Sequence, residues 1–201
     1  MAPSITPTLN PIPPPGLVLF PGFTAQKQEA FFTKQTLSGK LDIWIGSPDG
    51  LRSEFLRMAK EKRKNFVFRN ASNGAEVMRI VKETHFVHSN VYHVLAPDGT
   101  EKWSLKLNRK WSGTEYEITL NPSVGNVPGL LVQNKILGQA KGILLNGTPV
   151  ATTDTPEVWS HLRREDLIHV AAGMDILLPI AVTWIRIDKE NEDAETAASA
   201  A

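Results

Sequence analysis

The sequence predicts a mainly β fold, a closed antiparallel sheet wound around one buried helix near the C-terminal end. Two observations carry this expectation. The first is DILLPIAVTWIRID, residues 175–188, whose apolar side chains from Ile176 to Ile187 are interrupted only by Thr183 and Arg186 and so cover every face of a helix. The second is a strand–turn–strand pattern that recurs four times, with Asp-Gly or Asn-Gly at each turn.

A helix that is apolar all round is either a membrane span or the buried centre of a protein. A span needs roughly 20 apolar residues, and this run ends sooner, at Asp188-Lys189. The stretch is therefore read as a helix over about 175–189 that threads the sheet. Asp175 is placed to cap it, and Pro179 falls near the first turn, where a missing N–H costs least. The competing reading is two buried strands broken at Pro179.

The turns justify the strands. DIWIG leads through SPDG into LRSEFLRM, and NFVFRN through ASNG into AEVMRIV. SNVYHVL leads through APDG into TEKWSLKL, and GILL through NGT into PVATT. Asp-Gly and Asn-Gly supply the positive φ angles that tight hairpins require. The flanking residues alternate in the two-residue period of half-buried strands, as in Phe66/Phe68 and Trp103/Leu105/Leu107. Further strand patterns at 115–120, 129–133 and 168–171 bring the count to about ten. A sheet closed around the helix removes its adhesive edges.

The ends differ from this middle. Residues 1–16, MAPSITPTLNPIPPPG, contain six prolines, which exclude a helix or central strand. They are read as a disordered arm, or in a sharper reading as a polyproline arm docked on the domain or a partner. Residues 17–191 form the single domain, and 192–201 are expected to be a disordered tail. Lys plus Arg number 22 against 21 Asp plus Glu, so no overall charge favours nucleic acid, and none is expected as a partner. The chain has no cysteine, which excludes disulfides and thiolate metal sites. Its start lacks a signal-peptide pattern. The expected location is cytoplasmic.

Four strand–turn–strand units followed by a strand and an apolar helix resemble the LURP-one-related (LOR) group. The resemblance rests on FVFRNASNGAEVMRI (66–80), SNVYHVLAPDGTEKWSLKL (89–107) and IHVAAGMDILLPIAVTWIRIDKEN (168–191). It implies the tubby C-terminal-like fold shared with phospholipid scramblases, an antiparallel barrel of about twelve strands around a buried C-terminal helix. It also implies links to membranes or phosphoinositides in some members, and it carries no shared catalytic motif. Pro179 and the N-terminal prolines depart from the family pattern.

The search for chemistry is mostly negative. His85 and His88 are three residues apart, which on a strand sends them to opposite faces and argues against a metal pair. There is no HExxH, no nucleotide-binding glycine loop and no hydrolase nucleophile elbow, GNVPG (125–129) included. No metal and no cofactor are expected. The aromatic residues are more informative. Trp184 is read as core, while Trp111 and Trp159, in less regular segments, are read as either core or flanks of a pocket mouth. The basic run KEKRK (60–64), expected between two strands, is read as a solvated loop or as a contact for an anionic headgroup through Lys60, Lys62, Arg63 and Lys64.

Three functions compete. The first is a barrel that holds an apolar small molecule, such as a lipid, terpenoid or polyketide, with anionic membrane contact as a further expectation. The second is a cofactor-free cyclase of the Diels–Alderase kind, acting by preorganisation and a hydrogen bond to a carbonyl. Its candidate polar residues are Tyr92, His93, His85, His88, Thr183 and Arg186, and adjacent Tyr92 and His93 must face opposite ways on their strand. The third is an interaction module that uses the proline-rich arm.

Overall fold

The structure is a computed structural model and describes residues 7–36, 40–46, 50–62, 64–84, 90–110, 113–125, 127–137, 140–155 and 165–199. The strands are β1 (Glu29–Gln35), β2 (Leu41–Gly46), β3 (Arg52–Lys62), β4 (Asn65–Asn70), β5 (Glu76–Glu83) and β6 (Val91–Leu95). They continue as β7 (Glu101–Lys110), β8 (Gly113–Leu120), β9 (Leu130–Leu137), β10 (Ala140–Leu145), β11 (Thr148–Asp154) and β12 (Glu165–Val170). One helix follows, α1 (Leu177–Ser199). Each strand pairs antiparallel with its neighbours in sequence, and β12 returns to β1, so the twelve strands close into a barrel.

All four expected strand pairs are present as β2–β3, β4–β5, β6–β7 and β10–β11, with residues 47–49 of the first turn outside the described residues. The β6–β7 turn shows why. Gly99 takes φ +86°, Gly99 N–H bonds to the Ala96 carbonyl, and the Asp98 side chain accepts from Thr100 N–H at 2.9 Å. A left-handed glycine and an aspartate that folds back on its own backbone close the turn locally. The strand that the alternation pattern passed over is β1. Its Phe31 and Phe32 are adjacent, one packing into the core and the other outside it with the Arg52 guanidinium 3.6 Å from its ring. Both faces being occupied hides the two-residue period.

The barrel is filled by α1, whose residues Leu177 to Ile187 are all buried. Burial of each such Leu or Ile contributes about 1.5–3 kcal/mol. Three polar side chains on this helix find partners in the wall. Thr183 Oγ1 lies 3.0 Å from Thr153 Oγ1 of β11. Arg186 Nη2 donates to the Gln133 carbonyl of β9 at 2.7 Å. Asp188 Oδ2 accepts from Lys82 Nζ of β5 at 2.6 Å and from Tyr92 Oη of β6 at 2.9 Å. These bonds point in different directions around the helix, so they set its rotation within the barrel.

The ends carry structure, which corrects the disordered tail and, of the two readings of the arm, agrees with the docked one over 7–16: Ile12 N–H bonds to the Ala172 carbonyl at 2.8 Å, and Leu9 is buried. Gly16 approaches Gly173 so closely that a Cβ on Gly16 would meet the Gly173 oxygen at 2.4 Å. Asp175 holds the following segment, accepting from Leu19 N–H at 2.9 Å and Phe20 N–H at 2.7 Å through Oδ2. Its Oδ1 caps the helix by accepting from Leu177 and Leu178 N–H. Burial pushes this carboxyl up to about 7, while the four N–H bonds pull it down. At the other end, 192–199 continue α1 as an exposed helix. Ala and Glu favour helix, and the buried turns have already nucleated it. Among the described residues no helix is long and apolar enough to cross a membrane.

Candidate functional site

Among the described residues the wall has one weak seam. Where β7 and β8 pair continuously from Trp103↔Leu120 to Lys110↔Gly113, β8 and β9 share the single pair Tyr116↔Val132. The connection between them, 121–129, contains Pro122, Pro128 and two glycines, and it forms a short 3-10 turn instead of a tight hairpin. It therefore does not impose a register on the strands it joins. Beyond the one pair, the Asn134 side chain reaches across and donates to the Thr114 carbonyl at 3.0 Å.

Clefts open on both sides of that pair. The first, of about 620 Å³, lies between β8 and β9, with Tyr116, Ile118, Leu130, Val132 and Gln133 among its walls and charged residues such as Lys110 and Glu117 at its outer rim. The second, of about 480 Å³, lies toward the connection, bounded by Leu120, Val127 and Leu130. Leu131, which lines the first cleft, is 48% exposed.

Arg186 lies behind the first cleft. It is only 2% exposed. Its guanidinium sits 5.0 Å from the Tyr116 ring and bonds to the Gln133 carbonyl, and both residues line the cleft. Among the described residues, Nε and Nη1 have no hydrogen-bond partner. Burial lowers the Arg186 pKa, with Tyr116 and Glu190 acting in the opposite direction. Glu190 is already paired with Lys141 Nζ at 2.8 Å. Burial also raises the Tyr116 phenol.

A third space, of about 840 Å³, lies where α1 leaves the barrel, and its walls include Lys60, Lys64, Phe66, Trp184 and Asp188. Lys82 is buried here between Asp188 and Glu192, beneath this polar end. Burial and the neighbouring Asp188 drive the Tyr92 phenol far above its ordinary value, so it remains a donor. Positive and negative groups are interleaved in this space, and the Lys82 charge is already matched.

The residues singled out from sequence therefore separate. Arg186 lies at the seam. Tyr92 faces inward to Asp188, while His93 faces outward between Glu83 and Glu101. Thr183 bonds across to Thr153 instead of back to its own helix. Lys60 and Lys62 are strand residues at the end of β3, which corrects the expected loop, and Lys64 sits in the turn, bonded to Thr84. His85, His88, Arg63, Trp111 and Trp159 lie outside the described residues. Tyr116, Gln133, Leu130 and Val132 were missed. The only sequence signal for them is the proline-containing connection at 121–129, which breaks the Asp-Gly and Asn-Gly pattern. Compared with family models, with curated proteins and with solved structures, the chain finds no match.

Proposed function

We propose that the protein binds a small, largely apolar molecule at the seam between β8 and β9. The observation that carries this reading is the single-pair seam, which leaves a cleft of about 620 Å³ between β8 and β9. Small-molecule sites occupy about 300–1,000 Å³ and combine apolar walls with a few polar groups. Leu130, Val132, Ile118 and the Tyr116 ring supply the apolar part. A barrel around a helix is also what the LOR resemblance implies, and membership of that group is part of the proposal. Lys60, Lys62 and Lys64, near the point where α1 leaves the barrel, are the residues that an anionic membrane contact would use.

The reading is tested by titrating decan-1-ol into the protein calorimetrically. Saturable binding is expected, and it should be lost in Leu130→Trp, which fills the cleft. An absence of saturation in the parent protein overturns it.

A cyclase is the second reading, and the unpartnered N–H groups of Arg186 favour it. A buried donor next to a shaped cleft could polarise a substrate carbonyl as a floppy chain closes on itself. Conversion of a linear polyene substrate at the same rate and with the same stereochemistry with and without protein removes this reading.

A further inference from the structure

We propose that the seam cleft takes an acid: an apolar molecule whose carboxylate, or an equally acidic enolate, pairs with Arg186. This rests on the seam as the binding site and adds the chemical class of the ligand.

The argument starts from what Arg186 lacks. A guanidinium carries five N–H donors and stays charged in proteins. Here the guanidinium has two neutral partners, the Gln133 backbone carbonyl at Nη2 and the Tyr116 side chain beside it, while Nε and Nη1 have none among the described residues. The Trp103 and Trp184 indoles are likewise buried without partners, but they are neutral, so each forgoes one ordinary bond. A desolvated cation forgoes far more, because an unpaired charge in a low-dielectric interior is among the costliest features of a fold. No carboxylate among the described residues forms an ion pair with Arg186. The nearest along the helix, Glu190, is held by Lys141.

Among the described residues no carboxylate supplies the counter-charge, and the first cleft offers a route for one from outside. Gln133 and Tyr116, the two residues in contact with the guanidinium, are also walls of the first cleft. An acid entering between β8 and β9 places its oxygens against the guanidinium while its chain lies on Leu130, Val132 and Ile118. Charge-assisted bonds of this kind are about twice as strong as neutral ones and gain further where water is excluded. Arginine suits the task because its planar donors match the plane of a carboxylate. The rim carries both signs, Lys110 and Lys135 with Glu115 and Glu117, and Lys110 is paired with Glu115 at 2.7 Å, so the rim itself neither holds nor repels an acid strongly.

The test compares decanoate, methyl decanoate and decan-1-ol by calorimetry on the intact chain near neutral pH. Decanoate should bind at least about tenfold more tightly than the ester. In Arg186→Met that ratio should fall to about one, chiefly through loss of decanoate affinity. Arg186→Lys should keep part of the preference, because the charge remains but the planar fork is lost. If the ester and alcohol bind as well as the acid, the acid assignment fails while the seam reading survives. If none of the three binds, both fail. Should Arg186→Met not fold, the ratio in the parent protein and in Arg186→Lys decides the matter.

Discussion

The β6–β7 hairpin and the β8–β9 seam are neighbours in the same wall, and both place Leu, Val or Tyr toward the helix. In the hairpin, Gly99 and Asp98 bring the strands together at a fixed register, and pairing runs from Val91↔Lys106 to Leu95↔Glu101 with one bulge. At the seam, a proline-containing connection joins the strands without aligning them, and one pair survives. The apolar pattern is alike, so it does not explain the difference. The turn does. A barrel whose strands are all equally apolar opens where local turn chemistry stops specifying which residues meet.

The sharpest way to break this comparison is to delete equivalent core side chains on the two sides. Leu105, fully buried on β7, should cost about 2–5 kcal/mol as Leu105→Ala. Leu130 borders both clefts, so Leu130→Ala should cost less, on the order of 1–2 kcal/mol, because its contacts are already incomplete. Denaturant unfolding measures both, and equal losses would show that the seam is as well packed as the hairpin.

Next in size is Arg186→Met. Exchanging an incompletely paired buried charge for an apolar side chain is often neutral or stabilising by about 1–4 kcal/mol. The expected outcome is therefore an unchanged or higher melting temperature together with loss of acid preference. A loss of several degrees would instead make the Gln133 bond a principal support of the wall.

Gly99→Ala forces a Cβ into φ +86° with no steric contact nearby, so its cost isolates the backbone term, roughly 1–2 kcal/mol. The lost stability should be accompanied by faster amide exchange across β6–β7, approaching the rate at the seam. Exchange left unchanged would mean that the turn does not govern the pairing.

The smallest effect concerns His93, which links β5 to β7 through Glu83 at 3.1 Å and Glu101 at 2.9 Å. Burial lowers its pKa, but the two carboxylates more than reverse this and the net shift is upward from 6.5. A histidine with a raised folded pKa stabilises fully below its unfolded value, and the benefit is lost as pH rises through the folded value. Melting curves of the parent and His93→Gln should therefore converge as pH climbs from about 6 toward 8. Parallel curves would remove the clasp.

The parts legible in the sequence are those whose cause is local. Asp-Gly and Asn-Gly announce their turns through their own φ angles, and the run from Ile176 to Ile187 announces a buried helix through its own composition. The docking of 7–16 depends on Asp175, Ala172 and Gly173, which are distant in sequence, so a proline-rich segment read alone looks unstructured. Arg186 stood out as a polar break, but an isolated arginine gives no sign of being 2% exposed. The open seam was the least legible feature. It is the absence of pairing between two segments that each read as sound strands.

The clasp at Asp175 has a consequence for how the chain reaches this state during synthesis. Residues 19–20 wait for a carboxylate some 155 positions later, and β1 waits for β12 before it gains its second neighbour. The helix that fills the barrel is made after all twelve strands. Until it emerges from the ribosome, a curved sheet carries its apolar inner face uncovered, with both terminal strands unpaired on one side. Contacts of such long sequence separation close slowly, and exposed sheet edges invite association with other chains. Maturation of this protein is therefore a late event, decided in the time it takes residues 165–199 to find a cavity that has been open since its first strands formed.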